Sequence, residues 1–293
     1  MATYWDVLKK SFESRDAFPL YGVEDYSILI GDQYRMDQSA KYGRNKDLLY
    51  YPDSVSDIRV FTAPPTEKGA DRYFLGVQKA LWGKQNLPTF VVFRQAQGSG
   101  PWKAVHRTYA WDVKDLTDPF PATGGPLETA PAPNPRCGEF LEVLNYKRTP
   151  DPGAWAPNID TVRQSRIAVL NEKYIRALGG QIYLKTAPTA DPVGPTWILP
   201  DRTQYAPCLF ASEYTTDPTE KHCYTWAPWS SDEMLHGKYV WSKYGMSWGS
   251  EHFMLNITPA GVAGVKTWRS TQAGIRSDEC PKSMQHDDSL GKY

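Results

Sequence analysis

The sequence predicts an α+β protein of two tandem modules, each a helix packed on a curved antiparallel sheet. Three observations lead there. Helical periodicity is concentrated in one stretch near the start and one just past the middle. Most of the rest is short runs of β-branched and aromatic residues punctuated by Gly, Pro, Asn and Asp. The closing segments of the two halves also look alike: "FVVFRQAQGSGPWKAVHRTYA" beside "FMLNITPAGVAGVKTWRSTQA", each a strand, a glycine-bearing turn and a strand with a tryptophan.

The first module spans residues 1–117. Thr3 and Asp6 supply a hydroxyl cap and a carboxylate three residues on, and Trp5, Leu8 and Phe12 then share one face of a short helix. From Ser27 the runs "SILIGDQYRMD", "DIRVFTAPP", "RYFLGVQKALW", "TFVVFRQAQ" and "WKAVHRTYAW" predict an antiparallel meander. Residues 118–157 hold nine of the 24 prolines, too many for a continuous helix or a central strand, and predict a linker. Within it, "CGEFLEVLNY" offers Phe140, Leu141 and Leu144 as apolar anchors, so this segment packs on a module.

The second module, residues 158–275, opens with Asp160 as N-cap of a helix striped by Ile167, Leu170, Tyr174 and Leu178 and stopped at Gly179-Gly180. Seven strand-like runs follow: "QIYLKT", "TWILPD", "PCLFASEYTT", "HCYTWAP", "KYVWSKYG", "EHFMLNITP" and "GVKTWRST". Residues 276–293 form a C-terminal tail.

The order "YWDVLKKSFESRD", "DIRVFTAPP", "RYFLGVQKALW", "FVVFRQAQGSGPWKAVHRTY", "RIAVLNEKYIRALGG" and "PCLFASEY" resembles a family of exported actinobacterial lipoproteins over most of residues 4–273. The resemblance implies tandem cystatin-like or NTF2-like modules. It carries over no catalytic residue.

Lys plus Arg and Asp plus Glu both number 33, so no net field attracts nucleic acid. No apolar run is long enough to span a bilayer. The opening "MATYWDVLKK" lacks the apolar region of a signal peptide, so export or a cell-surface location implies a removed leader, with a cytoplasmic location as the alternative. Cys137, Cys208, Cys223 and Cys280 lack metal-type spacing. They stand as four thiols or as two disulfides, Cys208 with Cys223 across an apparent hairpin and Cys137 with Cys280 by elimination.

No cofactor or metal site is predicted, and no complete catalytic set. Gly245-Met246-Ser247-Trp248-Gly249 fits the letters of a nucleophile elbow, with Asp278 and His286 following in order. The chemistry, however, needs a strand before Ser247, a helix after it and a mostly parallel sheet, and a glycine-rich hairpin turn explains the same letters. Glu233 and His236 share a helical spacing that a metal site would need in more than one copy; His222 and His252 are the remaining candidates to join them. His106 alternates in phase with Trp102, so on a concave face it would act as a general base with Tyr26, Asp32 or Tyr34 as partner; the plainer reading is a satisfied strand histidine.

Eleven tryptophans and 18 tyrosines thicken in "YTWAPW" and "YVWSKYGMSW". Tyr34, Trp102, Trp226, Trp229, Trp241 and Trp248 are the candidate ligand contacts, because aromatic rings give large contact area with few rotors to freeze. The leading functional expectation is a non-enzymatic exported protein binding a protein partner, a glycan or a small ligand through aromatic surfaces or module pockets. The alternatives are an NTF2-like isomerase, cyclase or hydratase using His106, and a serine hydrolase using Ser247.

Overall fold

The computed structural model describes residues 2–42, 51–64, 67, 69–82, 84–109, 118–170, 181–217, 224–226 and 240–279. Among these the chain is a mixed α+β fold with four α-helices and one 12-stranded, almost wholly antiparallel sheet. Helix α1 (Ala2–Ser14) buries Trp5, Leu8 and Phe12, the stripe that its spacing predicts, and Tyr4 beside them.

Helix α2 (Tyr26–Tyr42) corrects the expected strand at "SILIGDQYRMD". Its buried side chains include Ile28, Leu29, Asp32 and Met36, spaced by about one turn, so burial follows helical period although Ile28 and Ile30 carry strand propensity.

Four strands follow as a meander: β1 (Ser54–Thr62), β2 (Arg72–Trp82), β3 (Gln85–Gln95) and β4 (Lys103–Tyr109). Each pairs antiparallel with the next. After β5 (Gly125–Pro126) and β6 (Glu128–Ala130), α3 (Pro135–Leu144) starts behind Asn134, whose side chain accepts the amide of Arg136 with Pro135 in the first turn. Helix α4 (Asn158–Leu170) begins two residues before the predicted cap, placing Asp160 in its first turn. Tyr174, Leu178 and the Gly179-Gly180 stop lie outside the described residues.

The remaining strands are β7 (Gln181–Pro188), β8 (Thr196–Ile198), β9 (Gln204–Asp217), β10 (Tyr224–Trp226), β11 (Val240–Ile257) and β12 (Ala263–Glu279). Strands β7, β9, β11 and β12 pair in that order, making a second antiparallel meander. The predicted runs "KYVWSKYG" and "EHFMLNITP" are one strand, β11, continuous through Gly245–Gly249.

Read along its hydrogen bonds, the sheet runs β5-β1-β2-β3-β4-β12-β11-β9-β8-β6. Its terminal strands, β5 and β6, are separated in sequence by Leu127 alone. The sheet therefore curls until both ends meet on one strap. Arg59 fixes that strap by pairing with Asp118 and donating to the carbonyl oxygens of Phe120 and Pro121 at 2.9 and 3.1 Å. Gly124 lies so close to β1 that an added Cβ would stand 2.4 Å from the Val60 oxygen.

Inside the curl, Phe61, Leu75, Phe90 and Val92 from the first meander pack with Trp197, Tyr205 and Met254 from later strands, and with Phe120 and Leu127 of the strap. One apolar core thus draws on both sides of residues 118–157. A second core lies under α3 and α4, where Phe140, Val143, Leu144, Ile159 and Val162 cover Phe210, Phe253 and Leu255. The expected anchors Phe140 and Leu144 are buried there, with Leu141 packed at the margin.

Cys137 of α3 is disulfide-bonded to Cys208 of β9. The expected pairings of Cys208 with Cys223 and Cys137 with Cys280 are therefore corrected; Cys223 and Cys280 lie outside the described residues. The elimination failed because the proline-rich segment folds back onto β9. With the two cysteines 71 positions apart in sequence, the bond stabilises the fold by about 4 kcal/mol through the entropy it removes from the unfolded chain.

Candidate functional site

The two meanders meet edge to edge at β4 and β12, and the backbone contributes little there: the ladder has a single residue pair, Trp268 with Tyr109. Side chains make the rest of the joint. Thr108 and Thr267 share a hydroxyl hydrogen bond of 2.7 Å. The rings of His106 and His252 pack with centroids 5.1 Å apart.

Helix α2 lies over this seam and drives Asp32 into it. One Asp32 oxygen accepts from Arg107 of β4 at 2.6 Å, the other from Arg269 of β12 at 2.7 Å. Arg107 also donates to Glu24 Oε1 at 3.0 Å and to the Tyr4 hydroxyl, while Tyr4 donates to the same Glu24 oxygen at 2.9 Å. The Arg107 guanidinium stands over the rings of Tyr4 and Trp5 as well. Tyr4, Glu24, Asp32, Arg107 and Arg269 are all buried.

Burial alone would raise the Asp32 carboxyl, but Arg107, Arg269 and Arg35 together outweigh it and hold Asp32 well below the usual carboxylate range. Glu24 goes the other way, pushed up to about 8 by burial and then by the neighbouring Asp32 charge. Asp32 is thus the fixed anion of the seam and Glu24 the carboxyl that readily holds a proton.

His106 is fully buried, and its Nε2 lies 3.3 Å from the Cys208 carbonyl oxygen, which assigns the proton to Nε2. Burial pulls its pKa down to about 4, against the opposing pull of the Cys208 and Phe253 carbonyls. His252 is held well below its ordinary value, by burial and then by His106, and its Nε2 is 3.0 Å from Ser250 Oγ. A general base needs access to substrate and a pKa near the working pH. His106 has neither: it is enclosed, and its proton-bearing nitrogen is engaged by backbone.

The partners expected for His106 serve elsewhere. Asp32 holds the two arginines, the Tyr26 hydroxyl accepts from Arg94 at 2.9 Å, and Tyr34 sits half-buried on α2. Trp102 is 37% exposed and packs edge-on against Phe74, while His106 points inward, so the two do not share a pocket wall.

Ser247 lies inside β11, paired with Tyr214 of β9 on one side and Ile275 of β12 on the other. The strand-turn-helix geometry of a nucleophile elbow is absent at that point, and so is the hairpin turn. A register shift between Trp248 and Gly249 is the local irregularity that the glycines accommodate. Asp278 belongs to the same strand pair; His286 lies outside the described residues. Trp248 is 41% exposed, in register with Glu213, which is itself paired with Lys185.

Trp226 lies in β10 and Trp241 in β11, one residue apart in the ladder that joins them. Trp229, His222, Glu233 and His236 lie outside the described residues. Among the described residues no three His, Cys, Asp or Glu side chains group as a metal site, and no helix is long and apolar enough to cross a membrane. No family model, curated protein or solved structure matches the chain.

Proposed function

We propose that this chain is an exported, non-catalytic binding protein that engages a protein partner, a cell-wall glycan or a small ligand through the aromatic surface of the β10–β11 region. The observation that carries the reading is the division of labour in the molecule: the titratable groups that suggest chemistry are enclosed and spent on one another, whereas Trp248 faces solvent. The disulfide supports an oxidising compartment.

We propose further that the two halves are tandem modules of one kind. Each half reads as helix followed by a four-strand meander, α1 and α2 before β1–β4 and α4 before β7, β9, β11 and β12. This is the order of a cystatin-like or NTF2-like module, and it agrees with the likeness to exported actinobacterial lipoproteins.

The test compares wild type with Trp248→Ala and with Trp226→Ala/Trp241→Ala on a glycan array and in crosslinking to exported proteins. The reading predicts that binding to at least one partner class falls at least tenfold in these variants, with circular dichroism unchanged. If every interaction detected for wild type survives both changes, the aromatic surface is not where this protein works.

A further inference from the structure

Arg269 has a guanidinium whose bonding is incomplete. Its Nη2 donates to Asp32, while Nε and Nη1 are buried and have no hydrogen-bond partner among the described residues. His252 stands in register with Arg269 on the neighbouring strand, and its Nδ1 is likewise buried and without a partner among the described residues. The Arg269 N–H groups, removed from water in this way, are destabilising until something accepts from them, and so is the His252 Nδ1–H in the tautomer whose Nε2 accepts from Ser250 Oγ.

The charges point to what that acceptor is. Arg107, Arg269 and Arg35 all act on Asp32, against two carboxylates in the cluster, Asp32 and Glu24. With Glu24 holding its proton, the two buried guanidiniums of Arg107 and Arg269 face one anion, and Arg35, which donates to the Ser270 carbonyl at the margin, adds to the positive side. Around His252 the acting groups are His106, Arg269, Arg107 and Arg35, and all of them disfavour further positive charge. The region has spare N–H donors and a positive excess.

We infer that Arg269 and His252 form an enclosed site for a small monovalent anion, a halide such as chloride, seated against the unpaired N–H groups of Arg269. Enclosure limits the ligand: Arg269 and His252 are 2% and 0% exposed, which excludes a hydrated phosphate or a sugar acid and leaves a bare monatomic anion as the class to test. The bound ion neutralises the surplus cation at the β4–β12 seam and so favours the joined state of the two meanders.

Two measurements on the full chain decide this. In crystals of wild type soaked in bromide, an anomalous peak is expected within hydrogen-bond distance of the Arg269 guanidinium. Thermal melts at constant ionic strength should show Tm rising saturably with chloride or bromide but not with gluconate, and Arg269→Lys should abolish the difference between salts. A water in place of the peak, or melts that follow ionic strength whatever the anion, would overturn the site. If Arg269→Lys does not fold, the bromide crystals decide alone. Loss of the aromatic surface leaves all these outcomes unchanged, so the two proposals fail separately.

Discussion

The core beneath α3 and α4 and the seam beneath α1 and α2 use the same two strands in opposite ways. On β11, Phe253, Leu255 and Ile257 enter the apolar core that the Cys137–Cys208 bond ties together, while His252, the residue just before Phe253, turns to the seam. The first region is held by area removed from water and tolerates approximate geometry. The second is held by charge pairs and hydrogen bonds that stabilise only while every partner is present. A fold can join two half-sheets with one backbone rung because side chains carry the joint, and the price is sensitivity to any change that strands one of them.

The largest break in that comparison is Asp32→Ala, which leaves both Arg107 and Arg269 buried without their shared anion. We expect a loss of about 5 kcal/mol in urea unfolding, or failure to fold. A loss below about 1 kcal/mol would show that water reaches the seam and that its charges are not the joint. On the apolar side, Cys137→Ala/Cys208→Ala should lower stability by about 4 kcal/mol while leaving the seam's hydrogen-exchange protection in place.

The pH response separates the regions next. His106 titrates near 4 in the fold against 6.5 in the free side chain, so the unfolded chain takes the proton first. Its contribution is intact above pH 6.5 and is lost as the pH falls toward 4, reaching about 3 kcal/mol, with His252 shifted in the same sense. Glu24 acts oppositely: raised from 4.5 to about 8, it contributes fully at acid pH, and that contribution is lost as the pH rises through 8. Stability measured against pH should therefore peak between these limbs, and His106→Gln should flatten the acid limb alone.

The smallest effect is expected at Thr108 and Thr267. A double-mutant cycle with valine at each should give a coupling of about 1 kcal/mol, the value of one buried hydroxyl pair.

Most strand positions were legible because each run of β-prone residues ends at a turn residue; "RYFLGVQKALW" is β2 residue for residue. Helix α1 and the anchors Phe140 and Leu144 followed from periodicity and hydrophobicity. Helix α2 was hidden because its buried stripe includes the charged Asp32, which a hydrophobic pattern discounts. The joining of two predicted strands into β11 was hidden for a related reason: Gly245 and Gly249 read as turn signals, yet flanking strands pair through them on both sides.

The seam itself was barely legible. His106 drew notice, but its neighbour Arg107 did not, because a lone arginine in a strand ordinarily faces water. The available signal is that "AVHRTY" and "VKTWRST" each set an arginine and a threonine among apolar and aromatic residues, in two segments that look alike. What no local pattern supplies is the pairing across a long span of chain, from Asp32 to Arg269.

The strap at residues 118–130 has a consequence of its own. Proline and glycine content ordinarily marks a place where extra residues are accepted freely. Here Leu127 alone measures the gap between the two sheet ends, so the segment acts as a ruler that sets the circumference of the curl. Lengthening it would slacken the whole girth of the molecule, although by composition it is the stretch that looks most forgiving.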